Sequence, residues 1–261
     1  VIAGYYRTYC TATLRRSDTT VKLMSSIEKL NNVQHAQLRV IREFGADYGD
    51  NVMFVPVYPN EFRGLQSCYP LLFFKDAQSG DLHPIALLGF EEGENLFLQD
   101  GNWDAPYIPL MMQRGPLMIG FESKDGGDKP TPVVAVDMAH AKVSTTEGEP
   151  LFSEHGGYSD YLDRLTAIME AIHEGHALAD TLSQTLVSLD LITSCDLEIT
   201  LDTGAKHQLA GFYMINDEAL LALDNNGLQR LSEKGLLAAT FLMFASQSQL
   251  QSLIRRKTGG I

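Results

Sequence analysis

At 261 residues, with 44% hydrophobic and 20% charged side chains, the chain has the composition of an ordinary globular protein, far from the disordered regime. Its 33 acidic residues against 20 basic ones give a formal charge of −13, which opposes the phosphate neutralisation on which nucleic-acid binding depends. Nucleic acid is therefore not an expected partner, and an anionic membrane surface is disfavoured for the same reason. The three cysteines, Cys10, Cys68 and Cys195, show no CxxC or Cys/His ligand spacing, which argues against a disulfide framework or a structural zinc and favours a reducing compartment.

The segment Val1 to Leu23 carries Arg7, Arg15, Arg16 and Lys22 against the single acid Asp18, unlike everything after it. Its opening VIAGYY is too short an apolar stretch for a secretory signal, so residues 1–23 read as a non-native or disordered extension, with Met24 as the natural start. After Leu38 to Ile41, the β-branched and aromatic run Asn51 to Tyr58 (NVMFVPVY) predicts a strand, and Glu61 to Cys68 a short helix. Three apolar runs follow at short intervals, Tyr69 to Lys75, His83 to Phe90 and Asn95 to Gln99. Glycine-containing turns between them predict an antiparallel meander. A short helix is expected after Pro109, then strands over Pro116 to Phe121 and Thr131 to Met138, separated by a mobile polar loop, SKDGGDK.

The character changes after Gly156-Gly157. Tyr158 to Leu191 lacks proline and repeats Leu162, Leu165, Ile168, Met169, Ile172, then Leu178, Leu182, Leu186 and Leu189 at helical spacing. This predicts one long helix or two in series, bent near Gly175. Asp196 to Leu201 and His207 to Ile215 flank the turn Asp202-Thr203-Gly204 as a hairpin, and Asp217 to Leu223 and Leu228 to Gln251 predict helices with Asn216 and Asn226 near their starts and Gly235 interrupting. The longest apolar runs, such as Gly235 to Ala245, fall short of the ~20 residues that span a bilayer, so membrane insertion is not expected. The fold class is α+β: a strand-rich N-terminal half with an antiparallel meander, a long helix, a hairpin and a helical C-terminal part. No linker divides it, so residues 24–261 are expected to form a single domain.

No catalytic signature is present: no Gly-x-Ser-x-Gly elbow, Walker loop or G-x-G-x-x-G, and no Cys/His pairing with a local motif. In His173-Glu174-Gly175-His176 the histidines stand three apart rather than four, so the zincin pattern fails; with His155 they remain the one candidate metal set, His155, His173 and His176. The acids Glu91, Glu92 and Glu94 read as the solvated tip of a turn. The stretch Phe90 to Met112 holds the only tryptophan and an Asp-Gly turn, and Trp103, Asp104, Tyr107, Met111 and Met112 form the candidate binding surface. The alternative is that Trp103 caps the core beside the turn.

VPVYPNEF at Val55 to Phe62, YPLLF at Tyr69 to Phe73, PIALLGF at Pro84 to Phe90, GENLFL at Gly93 to Leu98, the Trp103 to Pro109 motif and LAGFYMINDEALLAL at Leu209 to Leu223 resemble the soluble bacterial SapC family. The resemblance runs from about Met24 to the C-terminus. It implies a protein first associated with bacterial surface layers, whose relatives are often encoded beside flavin-dependent tryptophan halogenases, cupin-like oxygenase proteins and TonB-dependent receptors. It carries no catalytic residue set, and it is distinct from a peptide-transporter permease of the same name, whose spanning helices this chain lacks. The expectation is a non-catalytic binding or accessory protein of an envelope, uptake or peptide-modifying system, cytoplasmic, without a cofactor, and with a protein or peptide partner. A metal-assisted enzyme and a surface-layer component, reaching the surface without a signal peptide, are the alternatives.

Overall fold

A computed structural model describes residues 26–77, 79–122, 131–200 and 206–259. The expected extension at residues 1–23, with Cys10, the SKDGGDK loop and the Asp202-Thr203-Gly204 turn lie outside the described residues. The backbone falls into two compact units, each assembled from two separate stretches of chain: residues up to Tyr48 with Gln113–His173, and Gly49–Met112 with the chain from Glu174 onward. Because each unit is discontinuous, neither is marked by a linker in the sequence.

In the first unit, strands β1 (Ile27–Lys29), β8 (Leu117–Glu122) and β9 (Thr131–Asp137) form an antiparallel sheet in the order β1-β9-β8, with Leu117 opposite Val136. A second small sheet places β2 (Arg39–Val40) between β10 (Val143–Ser144) and β11 (Glu149–Pro150). The core joins Leu38, Val40, Leu117, Val136, Leu151 and Phe152 to Leu162, Leu165 and Met169 of helix α3 (Asp160–Ser188), an i, i+3, i+7 stripe. Helix α3 starts where Ser159 Oγ accepts from the Leu162 amide at 3.1 Å, with Asp160 and Asp163 in its first turn, where carboxylates oppose the helix dipole.

In the second unit, a five-stranded antiparallel sheet runs in the order β12 (Ile192–Thr200), β13 (Lys206–Ile215), β4 (Leu71–Lys75), β5 (Leu82–Leu87) and β3 (Phe54–Pro56). The expected meander is present as the β4-β5 hairpin, but the third run leaves this sheet. Its end, β6 (Leu98–Gln99), pairs instead with β7 (Asn102–Trp103) across Asp100-Gly101. Both turn residues have positive φ, 49° and 77°, the backbone of a tight hairpin turn that Asp-Gly accommodates. Between Cys195 opposite Phe212 and Leu197 opposite Leu209 the hairpin register slips by a residue, a bulge at Gly211 (φ 83°). Phe54, Phe74 and Phe212 form an aromatic cluster on β3, β4 and β13, the first two stacked at 4.9 Å between centroids across the intervening β5.

Short helices complete this unit: α1 (Phe62–Leu65), α2 (Leu110–Gln113), α4 (Asp217–Leu221), α5 (Asn225–Glu233), α6 (Leu237–Ser246) and α7 (Gln249–Thr258). Asn216 caps α4 as its position predicts, accepting from the Ala219 amide, whereas α5 is capped by Asp224 rather than Asn226. Helix α6 lies against α1, β4 and β13, and Ser246 Oγ accepts from the Leu71 amide at 3.0 Å.

Helix α3 runs unbroken through Gly175, so the expected bend is absent. The glycine serves close approach instead. A Cβ there would stand 2.6 Å from Tyr58 Cβ and 2.8 Å from Asn60 Oδ1. The inward positions of its second half are Ala179, Leu182 and Leu186, while Leu178, apolar and in phase by sequence, is 41% exposed. Gly175→Ala is therefore expected to lower stability by about 1 kcal/mol or more in chemical denaturation, because overpacking outweighs the ~1 kcal/mol gain in helix propensity. A stabilised variant would contradict the close packing.

Candidate functional site

Two loops of the second unit carry most of the residues singled out in the sequence, and a buried carboxylate joins them. Glu61, 4% exposed, precedes α1 and lies in the corner that follows β3. Its Oε1 accepts from the Tyr58 amide at 3.2 Å, and its Oε2 accepts from the Leu110 amide at 3.0 Å and Tyr107 Oη at 3.2 Å. The corner 58–61 and the segment 107–110 are thus fastened to one side chain. The Tyr107 ring lies directly over Gly64, where a Cβ would be 2.5 Å from the ring, so α1 needs glycine at this position.

Burial pushes the Glu61 carboxyl up to about 7, outweighing the three donors that favour its charged form. The Tyr107 hydroxyl is raised as well, by burial first and by the neighbouring Glu61 charge second. Tyr69 extends the network: its hydroxyl donates to the Tyr107 carbonyl and accepts from Trp103 Nε1 at 2.6 Å. Burial likewise raises the Tyr69 hydroxyl, since nothing nearby stabilises a phenolate enough to offset it.

Trp103 is only 8% exposed and lies parallel to Phe97 at 6.3 Å, so its indole closes the core beneath the Asp-Gly hairpin. Asp104 is at the surface and receives Arg256 of α7 twice, at 2.6 Å on Oδ2 and 3.0 Å on its carbonyl. The same guanidinium stands 4.5 Å from the Phe97 ring centroid. Lys257 is held by Glu91 and Glu94, which raise its pKa through their hydrogen bonds, so these two acids clamp α7 and are not a solvated tip. Tyr107, Met111 and Met112 are half-buried, with Tyr58 Oη 3.7 Å from Met111 Sδ.

The structure thus places Trp103, Asp104, Tyr107 and Met111 around one network, with Met112 one residue further along α2. Glu61, Tyr58, Tyr69, Gly64 and Arg256 were missed by the sequence reading. Glu61 and Tyr107 are 46 positions apart. The available signal was that PNEF and the Trp103 to Pro109 motif both belong to the segments that carry the resemblance.

The histidine set is not assembled. Among the described residues no three His, Cys, Asp or Glu side chains are grouped so as to hold a metal ion. His155 is exposed, His173 is exposed beside Phe121 at 6.0 Å, and His176 Nδ1 lies 3.5 Å from Asp180, one turn further along the helix.

The raised Glu61 pKa fixes a sign. The folded state holds this proton more tightly than the unfolded chain, whose carboxyl has its ordinary value of 4.5. Its contribution is therefore fully present below pH 4.5 and is lost as pH rises through 7, a change of roughly 3 kcal/mol. We expect the Tm advantage of the native chain over Glu61→Gln to shrink from pH 4.5 to pH 8. A pH-independent difference would show that Glu61 is not a buried, titrating carboxyl.

No curated protein and no solved structure matches the chain at a significant level. The SapC family model matches residues 30–253, which include both loops of this network and most of both units. No helix among the described residues is long and apolar enough to cross a membrane, as the permease of similar name would require. The chain belongs to the SapC family.

Proposed function

We propose that this chain is a non-catalytic binding or accessory protein, cytoplasmic, which engages a protein or peptide partner in a bacterial envelope, uptake or peptide-modifying system. One observation carries the reading. The most strongly perturbed carboxyl of the site has both oxygens engaged by donors from the protein itself, while the apolar strip beside it, Tyr107, Met111 and Met112, remains half-exposed on a braced loop. A general acid or base must come within reach of substrate, and this carboxyl is 4% exposed. A contact surface needs a held, partly apolar strip with polar groups at its rim, and methionines suit such surfaces because they adapt.

In this reading Tyr107, Met111 and Met112 make the contact, Asp104 lies at the rim, and Trp103 supports them from below. The gene company implied by the family supports an envelope or peptide-modifying setting. Replacing Trp103 would test packing, since truncating a buried aromatic costs about 3 to 5 kcal/mol.

The informative variant is Met111→Ser with Met112→Ser. Affinity capture from the native host should recover a defined protein or peptide with the native chain and lose it with the double variant, whose circular dichroism and Tm stay close to native. Failure of the native chain to capture any partner would remove the reading. Equal capture by the variant would remove this surface from it. Fractionation of the host should find the chain in the cytoplasm, and recovery in the surface layer would overturn the proposed compartment.

A further inference from the structure

The second unit holds a groove of about 390 Å³ away from the Glu61 network, within the ~300 to 1,000 Å³ range of small-ligand sites. One wall is the β4-β5 hairpin, with Lys75 and Asp81; the other is α3, with Asp180, Ser183 and Gln184; Tyr213 of β13, the strand beside β4, also lines it. The charges are of both signs, and they are not used on each other. Lys75, Asp81 and Gln184 make no side-chain hydrogen bond or ion pair with any described residue, although Lys75 Nζ stands 5.9 Å from the Tyr213 ring centroid.

Asp180 has only the 3.5 Å approach of His176. Ser183 is 5% exposed, and its Oγ, closed to solvent, has no hydrogen-bond partner among the described residues. The polar groups the groove offers to a ligand are therefore those of Lys75, Asp81, Asp180 and Gln184. Around Glu61, by contrast, the corresponding groups are all engaged.

A cation, anions, an amide and an aromatic face, with Val187 at 51% exposure adding apolar surface, suit one ligand chemistry. We infer that this groove binds a small zwitterion, an ammonium and a carboxylate on a short apolar frame, as in a free α-amino acid or a short peptide with free termini. Lys75 meets the carboxylate, Asp180 and Asp81 the ammonium, Gln184 the amide or carboxylate oxygen, and the frame lies against Tyr213 and Val187. None of these residues belongs to the strip proposed to contact the partner, so the two readings stand or fall separately.

Calorimetric titration of the full chain with leucine, with alanyl-leucine, and with alanyl-leucine acetylated and amidated at its ends tests the site. We expect leucine or alanyl-leucine to bind, the tighter of the two naming the source, and the capped peptide to bind at least about tenfold more weakly. Lys75→Met and Asp180→Asn should each weaken the tighter ligand by about tenfold, the usual worth of a charge-assisted contact. Equal binding by the capped peptide, unchanged affinity in both variants, or no binding of either free ligand at millimolar concentration would overturn the assignment.

Discussion

The burial of one carboxylate, Glu61, is the constraint on which the described site depends. A charged group 4% exposed is costly unless donors surround it, and here two backbone amides and a phenol do so. These bonds favour the charged form without offsetting its burial, which holds the carboxyl up to about 7, and loss of the acceptor would leave the Tyr58 and Leu110 amides unsatisfied. The conformations of the 58–61 corner and the 107–110 segment are consequently coupled. Gly64 lets the Tyr107 ring lie over α1, and Tyr69 passes the constraint to Trp103. On the surface side, Arg256 and Lys257 of α7 hold Asp104, Glu91 and Glu94, so the loop is fixed from within and from above.

This arrangement separates two kinds of polar group within one unit. Those around Glu61 are consumed in holding backbone, which leaves the half-buried apolar edge beside them, Tyr107, Met111 and Met112, as the part proposed to meet a partner. Those in the groove between the β4-β5 hairpin and α3 are largely unconsumed, and Ser183 is buried without a partner among the described residues. The same distinction separates an organising carboxylate from a ligand-binding one, and pKa alone does not draw it. Glu61 is the most displaced carboxyl described, and its geometry is that of a brace.

Much of the fold was legible because local chemistry decided it. Alternating and β-branched runs gave the main strands, the Asp100-Gly101 pair gave a turn, and the proline-free stripe from Leu162 gave the long helix. What was not legible depends on tertiary contact. Gly175 reads as a weak point in a helix until Tyr58 is seen against it, and Leu178 reads as core because periodicity does not know where the core ends. The candidate binding residues were found as a sequence-local cluster, but the side chain that organises them lies far away in the chain and looks like any acidic residue at a helix start. Burial of a single glutamate leaves no local pattern.

The most direct test of this account is the carboxyl carbon of Glu61, followed by nuclear magnetic resonance as pH is varied and assigned by comparison with Glu61→Gln. The account predicts a midpoint near 7. A midpoint near 4.5, that of an ordinary solvated glutamate, would contradict the burial of this carboxyl.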